Sequence, residues 1–347
     1  MTANNGPSNN DFAQAVHLLE QGNVVAFPTE TVYGLGARID RPEGLKKIFS
    51  TKERPFFDPL IVHVSSIDQA KTCFKEWHAM ADHLAKAFWP GPLTLVMPKS
   101  DLISDMITSG LDSVGVRMPK HPLAKKLIEA VGVPVAAPSA NKFGKTSPTK
   151  AEHVKKEFGD QVVVLDQGQS EIGIESTVLM VKVSFRGPQH NTYELAILRK
   201  GAVLKSDLLT SLLKTDLKFS WLEAVDKKES PGHMKHHYMP EVPFVICKNP
   251  AMKLSEITGI INTKLKELPD EVEHVKIVKP KHEIKNIVFL TLSKDPGQAA
   301  RELYSQLRAM SERKPDVLCF IQMPYHNSEM WESVFDRMYK AASLIIE

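Results

Sequence analysis

The sequence predicts an α/β protein with two domains, a mixed twisted sheet with helices and then a smaller Rossmann-like parallel α/β domain. At 347 residues the chain exceeds the size at which a single hydrophobic core stops growing. Short apolar runs alternate with amphipathic helical periods, and a stretch without periodicity separates the two halves. We therefore predict a first domain at 10–205, a linker at 206–241 and a second domain at 242–347.

The first domain opens with a predicted helix over Asp11–Gln21, ended by Gly22, that leads into the apolar strand Val24–Phe27. Further helices are predicted at 44–51, 67–88 and 123–131. Further strands are predicted at 60–64, 93–97, 114–118, 134–137, 162–166, 177–183 and 195–198. This pattern predicts a mixed α/β domain with its polar residues gathered at strand ends.

The second domain has strands predicted at 244–247, 275–278, 288–292 and 318–323, which alternate with helices at 254–268, 297–310 and 330–345. This order predicts a small doubly wound parallel sheet. The linker before it contains Ser230–Pro240 and has no sustained period. A stretch of this length without regular structure is typical of a flexible connection or of a functional lid.

Composition restricts the class of protein. Apolar residues make up 42% and charged residues 24%, as in ordinary globular proteins, and a net charge of +3 is too small to indicate nucleic-acid binding by itself. Cys73, Cys247 and Cys319 fit neither a disulfide framework nor a metal-binding spacing, which favours a reducing compartment. With no secretory signal and no apolar run of membrane-spanning length, we expect a cytoplasmic protein without membrane contact.

Three groups of polar side chains stand where predicted elements end. They are Thr29, Thr31 and Tyr33 after the first strand, Lys52 and Arg54 before Pro55, and Ser139 and Asn141 after the strand at 134–137. Because residues at i and i+2 of an extended chain share a face, each group is expected to face one ligand. Hydroxyls, two cations and an amide suit a polyanion that carries a nucleotide or a sugar. For any single group, an ordinary solvated turn is the alternative.

Arg117 lies between Val116 and Met118 in a predicted strand, and arginine is seldom buried without an anionic partner. That partner is either a ligand or a structural carboxylate. His63 alternates with apolar residues, which fits a core histidine as well as a ligand-binding one. Glu175-Ser176-Thr177 precedes an apolar strand and fits a strand-start turn equally well.

Several common functional motifs are absent from the sequence. Gly34-x-Gly36 lacks the third glycine of a dinucleotide fingerprint, and no P-loop run exists. His233, His236 and His237 have no cysteine or carboxylate at ligand spacing, which favours polar loop residues over zinc ligands. No G-x-S-x-G elbow surrounds Ser139, so a hydrolase triad with His63 is not supported.

Six motifs together resemble those of the YrdC-like threonylcarbamoyl-adenylate synthases, in the order found in that family. They are Pro28-Thr29-Glu30-Thr31-Val32-Tyr33-Gly34-Leu35-Gly36, Lys52-Glu53-Arg54-Pro55, Pro59-Leu60-Ile61-Val62-His63, Pro138-Ser139-Ala140-Asn141, Gly173-Ile174-Glu175-Ser176-Thr177 and Leu198-Arg199-Lys200-Gly201. The resemblance covers about residues 10–205, and the loop 230–238 with the following domain resembles the long, two-domain form of the enzyme.

The resemblance implies that L-threonine, bicarbonate and ATP give threonylcarbamoyl-AMP, pyrophosphate and water. The product would be passed to a tRNA threonylcarbamoyl transferase complex that modifies the adenosine next to the anticodon, and Mg²⁺ would accompany ATP. By similarity, L-threonine would contact Thr31, His63, Arg117 and Ser176. ATP would contact Lys52, Arg54, Asp58, Ser113, Ser139, Asn141, Ser147, Arg199 and Ser230.

Two positions depart from the family pattern. Asp58 replaces a common asparagine, and its carboxylate is expected to repel phosphate unless it faces a cation or a ribose hydroxyl. Ala137 replaces a frequent threonine, so a hydrogen bond to the amino acid is expected to be missing. Because no covalent nucleophile or close carboxylate pair is present, Lys52 and Arg54 are the predicted catalytic residues, acting by charge stabilisation.

Two other functions stay open at the level of sequence. The first is an RNA-binding YrdC-like protein without synthase activity, and weak tRNA binding is also compatible with the synthase. The second is a carbamoyl-transfer factor such as those of hydrogenase maturation. It is disfavoured because the chain lacks the acylphosphatase-like and zinc-finger segments of such proteins.

Overall fold

The computed structural model describes residues 6–186, 191–222, 236–272, 274–280 and 282–347. The chain divides into two compact units. The first comprises residues 1–141, 148–171 and 175–233, and the second comprises 142–147, 172–174 and 234–347. Both units combine helices with a sheet that contains parallel strands, which confirms the predicted α/β class.

The first unit is built on a sheet to which ten strands of the described residues contribute. The strands are β1 (Val25–Phe27), β2 (Gly34–Arg38), β3 (Ile61–His63), β4 (Leu93–Pro98), β5 (Ser113–Arg117), β6 (Val135–Ala136), β7 (Val163–Val164), β8 (Thr177–Arg186), β9 (Asn191–Arg199) and β10 (Lys218–Trp221). The helices are α1 (Asn9–Glu20), α2 (Pro42–Lys52), α3 (Ile67–Cys73), α4 (Ala79–Phe88), α5 (Asp105–Thr108), α6 (Pro122–Val131), α7 (Ala151–Phe158) and α8 (Lys205–Leu212).

The sheet is mixed and has the strand order β10-β9-β8-β4-β5-β3-β6-β2-β1-β7. Neighbours β10 and β9, β8 and β4, β5 and β3, and β1 and β7 are parallel, whereas the remaining pairs are antiparallel. Both faces are covered. Val24 and Ala26 pack into one apolar core, whereas Val25 and Phe27 pack into a second core that includes residues of α1 and α6.

In the first unit, one predicted helix is wrong in detail and one strand was not predicted. The single helix predicted at 67–88 is two helices, because α3 ends at Cys73 and the His78 side chain caps a new helix by accepting from the Ala81 N–H. Strand β10 lies in a stretch that showed no clear period in the sequence. It pairs parallel to β9, so its conformation depends on a neighbour distant in sequence.

The second unit contains a four-stranded parallel sheet in the order β14-β15-β11-β16. Its strands and helices are β11 (Phe244–Cys247), α9 (Leu254–Glu267), β12 (Glu271–Val272), β13 (Val275–Lys276), β14 (Ile287–Phe289), α10 (Pro296–Glu312), β15 (Val317–Ile321), α11 (Glu329–Ala341) and β16 (Leu344–Ile346). The parallel sheet predicted for the C-terminal part of the chain is therefore confirmed.

Two assignments in the second unit were wrong. The predicted strand at 275–278 does not join the parallel sheet, because β13 pairs with β12 in a separate antiparallel ladder. The predicted helix at 330–345 ends at Ala341, and Leu344–Ile346 forms the fourth strand beside β11. Its two consecutive isoleucines have high β propensity, which the helical period of the preceding residues masked.

Within the part of the chain that the structure describes, no helix combines the length and the apolar character that crossing a membrane requires.

Replacing glycine by alanine is expected to have opposite effects on stability at Gly201 and Gly259. A Cβ at Gly201 would lie 2.6 Å from the carbonyl carbon of Ser176 and 2.7 Å from the carbonyl oxygen of Glu175. Gly201→Ala is therefore expected to lower the free energy of unfolding by roughly 1–3 kcal/mol. Exposed Gly259 on α9 has no neighbouring atom within 4 Å of such a Cβ, so Gly259→Ala is expected to raise stability by up to about 1 kcal/mol.

Differential scanning calorimetry of the two variants and the wild type checks this pair. An unchanged or raised transition temperature for Gly201→Ala would contradict the close backbone packing at this glycine.

Candidate active site

Strand β5 connects the two groups of predicted ligand-binding residues. Ser113 and Arg117 are its first and last residues, and together with Gly115 they share one face of the strand. Four residue steps separate Ser113 from Arg117 by about 13 Å. Gly115 is only half-buried and contributes no side chain, so a ligand on this face would approach the backbone between the two groups.

At the Arg117 end, a buried guanidinium contacts the loop that follows β1. Arg117 Nη1 donates a hydrogen bond of 2.9 Å to Thr31 Oγ1 and lies 3.6 Å from Glu30 Oε1. Burial is the main cause that lowers the pKa of Arg117, and the charge of Arg199 adds to it, while Glu30 opposes both. Arg117 therefore has the structural carboxylate that the sequence left as one alternative, at a distance longer than a close ion pair.

His63 lies beside Arg117, because β3 and β5 are parallel and pair these two residues. The imidazole is buried, packs edge-on against Phe27 and has Nδ1 3.2 Å from the Ile61 carbonyl oxygen. Burial lowers the pKa of His63 well below its usual value, and the charge of Arg117 lowers it further. The ring is therefore neutral at physiological pH, and it places an uncharged polar side chain next to Arg117.

Ser176 and Arg199 belong to the same end of the sheet. Strands β4 and β5 are antiparallel and pair Leu95 with Val116. Extending this register by one residue places Thr94 opposite Arg117. Ser176 Oγ lies 2.8 Å from Thr94 Oγ1. The Arg199 guanidinium donates to Ser176, with 3.1 Å from Nε to the carbonyl oxygen and 3.1 Å from Nη2 to Oγ. The structure therefore brings Thr31, His63, Arg117, Ser176 and Arg199 to one end of β5.

At the opposite end, Lys52 is buried at the C-terminus of α2, where its ammonium donates to the carbonyl oxygens of Ser139, at 2.5 Å, and Asn141. Ser139 forms an isolated antiparallel β-bridge with Gly34, the first residue of β2. Burial is the largest cause that lowers the pKa of Lys52 well below its usual value, and the charge of Arg54 adds to it. An anionic ligand would favour the charged form of this ammonium.

Arg54 and Asp58 form a buried ion pair. Asp58 Oδ2 lies 2.9 Å from Arg54 Nη2, and the guanidinium also donates to the carbonyl oxygens of Asp58 and Pro59. The negative charge of Asp58 is thus offset by Arg54, which answers the expected repulsion of phosphate at this position. Extending the β3–β5 register by two residues places Pro59 beside Ser113, so the pair belongs to the Ser113 end of the strand.

The local geometry behind the three polar groups differs from the prediction. Thr29–Tyr33 is a loop, in which Thr29 Oγ1 accepts from the N–H of Thr31 and lies 2.8 Å from Thr31 Oγ1. Tyr33 does not share their face but packs in the core and donates to the Gly168 carbonyl oxygen at 2.6 Å. The threonine hydroxyls compete with the backbone for hydrogen bonds and favour a turn over a strand.

The other two groups are also not extended pairs. Lys52 ends a helix, and Glu53 turns the chain in a left-handed conformation with φ 52° before Arg54. Asn141 donates its backbone N–H to the Ser139 carbonyl oxygen at 3.0 Å, which is a turn. The residues were predicted to converge because of a shared strand face, but turns and a helix end position them instead.

The remaining predicted residues have different positions. Ser147 is fully buried in the segment 142–147 of the second unit. Ala137 donates its N–H to the Ile61 carbonyl oxygen and offers no hydroxyl, as the sequence predicted. Ser230 and His233 lie outside the described residues, as does the first part of the predicted lid at 230–240. Among the residues that the structure describes, no cluster of three His, Cys, Asp or Glu side chains could hold a metal ion.

Two residues of this region were missed by the sequence analysis. Glu30 was part of a quoted motif but was given no role, although an acidic residue next to Thr31 signals a charge beside the hydroxyl. Thr94 lies within an apolar strand that gave no such signal. Its hydroxyl matters only because the strand register brings it to Ser176 and Arg117.

The fold and this arrangement define a class of protein. It is an α/β protein with buried cations near both ends of one strand, Arg117 and Arg199 at one end and Lys52 and Arg54 at the other, and such cations suit anionic ligands.

Comparison with known proteins gives the family. A family model described as "Telomere recombination" (Sua5_yciO_yrdC) matches residues 17–201, and one described as "Threonylcarbamoyl-AMP synthase, C-terminal domain" matches residues 203–343. The chain belongs to the threonylcarbamoyl-AMP synthase family, in its two-domain form. The resemblance found in the sequence is thereby confirmed, as is the class of enzyme.

Individual relatives match along most of the chain. The threonylcarbamoyl-AMP synthase of Bacillus subtilis is 35% identical over 96% of this chain and 94% of its own length. That of Pyrococcus abyssi is 37% identical over 88% of this chain and 86% of its own length. The crystal structure of P. abyssi Sua5 complexed with L-threonine superposes with a TM-score of 0.76 at 32% identity, covering 97% of this chain and 96% of that one.

The lowered pKa of His63 predicts a pH dependence of stability. In the unfolded chain the imidazole binds a proton below about pH 6.5, whereas the buried ring in the folded chain resists it. Stability is therefore lost as the pH falls through 6.5, by up to about 1.4 kcal/mol per pH unit from this group. In His63→Asn, the decline of the free energy of unfolding between pH 6.5 and 5 should be shallower by up to that amount.

Denaturant titrations at several pH values measure these slopes. His17→Asn removes an exposed imidazole on α1 and is the matched control, expected to keep the wild-type slope. Parallel slopes for His63→Asn and the wild type would contradict a neutral buried His63.

Proposed function

We propose that this protein is an L-threonylcarbamoyladenylate synthase, which converts L-threonine, bicarbonate and ATP into threonylcarbamoyl-AMP, pyrophosphate and water. The observation that carries the proposal is the pair of buried cationic groups at the ends of β5, with Arg117 and Arg199 near one end and Lys52 and Arg54 near the other. Family membership and the L-threonine complex of P. abyssi Sua5 support the identity of the substrates.

The amino acid would occupy the Arg117 end. Its carboxylate matches the buried guanidinium of Arg117, which donates to the Thr31 hydroxyl, and the Ser176 hydroxyl is held nearby by Arg199 and Thr94. Neutral His63 would line the same end without competing for the carboxylate charge. Because Ala137 has no hydroxyl, selection of threonine would rely on the remaining hydroxyls.

ATP would extend along the face toward the other end. Lys52 and Arg54 would hold its phosphates, with Asp58 as the ion-pair partner of Arg54 and with Ser113, Ser139 and Asn141 at the same end. Arg199 would supply a further ATP contact implied by the family motifs. Mg²⁺ would enter as part of the MgATP substrate, since Mg²⁺ is usually bound through substrate phosphates and one or two carboxylates.

The reaction would proceed in two balanced steps. The ammonium of threonine loses a proton to solvent, and the resulting amine attacks the carbon of bicarbonate or of carbon dioxide derived from it, which gives a carbamate and releases water. A carbamate oxygen then attacks the α-phosphorus of ATP, and the bond to the β-phosphate oxygen breaks as pyrophosphate leaves. Lys52 and Arg54 act as fixed cations that offset the charge growing on pyrophosphate, so catalysis rests on positioning and electrostatics.

The product is a mixed anhydride that water destroys readily, so it must be passed on quickly. We propose that it goes to a tRNA threonylcarbamoyl transferase complex that modifies the adenosine next to the anticodon. The alternative, an RNA-binding protein without synthase activity, is less well supported. Binding to a nucleic-acid backbone uses exposed lysines and arginines, whereas Lys52, Arg54, Arg117 and Arg199 are at most 7% exposed.

A pyrophosphate-release assay tests the proposal. With MgATP and bicarbonate, release should require the amino acid L-threonine and should be negligible without it, while mass spectrometry detects threonylcarbamoyl-AMP. ATP turnover that ignores threonine and bicarbonate would contradict the proposed reaction.

Removing one of the two catalytic cations should slow the reaction. Because a charge-stabilising donor typically contributes about 3 kcal/mol in the transition state, Lys52→Ala or Arg54→Ala should lower the rate of pyrophosphate release roughly a hundredfold. Lys46→Ala, at an exposed position of the same helix, is the matched control and should retain the wild-type rate. Circular dichroism checks that each variant is folded, and near wild-type turnover of Lys52→Ala would refute the role.

A further inference from the structure

We infer that Glu30 binds the ammonium group of the substrate, so that Glu30 and Arg117 together recognise the zwitterion of an α-amino acid. The inference rests on the proposed function and adds a substrate-contacting residue to it.

Glu30 is held rigidly beside Arg117. Its side chain is 2% exposed, and Oε2 accepts a hydrogen bond of 3.1 Å from the backbone N–H of Lys120. The other oxygen, Oε1, lies 3.6 Å from Arg117 Nη1. The carboxylate is therefore fixed at one oxygen by the backbone and presents the second oxygen toward the guanidinium that is expected to bind the substrate carboxylate.

Glu30 and Arg117 each have one polar atom without a hydrogen-bond partner among the described residues. Among the described residues, Glu30 Oε1 accepts no hydrogen bond and Arg117 Nε donates none, although both atoms are buried. A buried charged group without a full set of hydrogen bonds is costly, so such atoms at a site indicate a ligand that completes them. One orphan atom is an anionic acceptor and the other is a cationic donor.

A zwitterionic α-amino acid matches both atoms. Its carboxylate would accept from Arg117 Nε, and its ammonium would donate to Glu30 Oε1. A second anion would be repelled by Glu30, and a simple amine would be repelled by Arg117. Glu30 Oε1 lies 3.6 Å from Nη1 of the same guanidinium, so the two charged groups are close enough for the amino and carboxyl groups of one Cα atom to contact one each.

Calorimetric binding without ATP separates this role from a purely structural one. The ligands are L-threonine and 3-hydroxybutanoate, which is threonine without its amine. Wild type should bind L-threonine at least tenfold more tightly than 3-hydroxybutanoate. Glu30→Gln, whose amide oxygen can still accept from Lys120, should lose about 10- to 100-fold in affinity for L-threonine and should lose none for 3-hydroxybutanoate.

Glu171→Gln is the matched control. Glu171 is exposed and lies 3.6 Å from the Lys120 ammonium, so the substitution removes a negative charge near the same segment without touching the buried pair. Its affinities should equal those of the wild type.

Equal losses of both ligands in Glu30→Gln would overturn the inference, because Glu30 would then act only by positioning Arg117. Unchanged affinity for L-threonine would overturn it as well. If Glu30→Gln does not fold, the wild type decides, and equal affinity for the two ligands would be contradictory. If Glu30→Gln binds L-threonine like the wild type while the wild type releases pyrophosphate, the inference fails and the proposed function stands. If the wild type neither binds L-threonine nor releases pyrophosphate, both the inference and the proposed function fail.

Discussion

Burial of positive charge is the constraint on which the candidate site depends. Lys52 donates its hydrogen bonds to backbone carbonyls, and the nearest carboxylate oxygen of Glu30 stays 3.6 Å from Arg117. Burial lowers the pKa of both side chains, which means that folding pays a desolvation cost for each. Anionic substrates would offset that cost on binding, because they would supply the negative charge that these buried side chains lack.

The pairing of the strands determines where these residues lie. Parallel pairing of β3 and β5 sets His63 beside Arg117 at one end and Pro59 beside Ser113 at the other. Antiparallel pairing of β4 with β5 adds Thr94 at the Arg117 end. Gly115 leaves the middle of this face without a side chain of its own, and the strand spans about 13 Å from Ser113 to Arg117.

The sequence was sufficient for the α/β class, the parallel C-terminal sheet and the family, because these depend on periodicity and on motifs that survive as contiguous residues. It was insufficient for the conformations that position the side chains. The Thr29–Tyr33 loop and the left-handed Glu53 result from competing local hydrogen bonds and from a helix end. Thr94 and strand β10 depend on pairing with distant segments, which a single sequence does not display.

A crystal structure with L-threonine and a non-hydrolysable ATP analogue tests the central claim most directly. We expect the threonine carboxylate on the Arg117 guanidinium and the phosphates against Lys52 and Arg54, with both ligands over Gly115. Ligands bound away from the β5 face, with the Arg117 guanidinium still on Thr31 and Glu30, would contradict it.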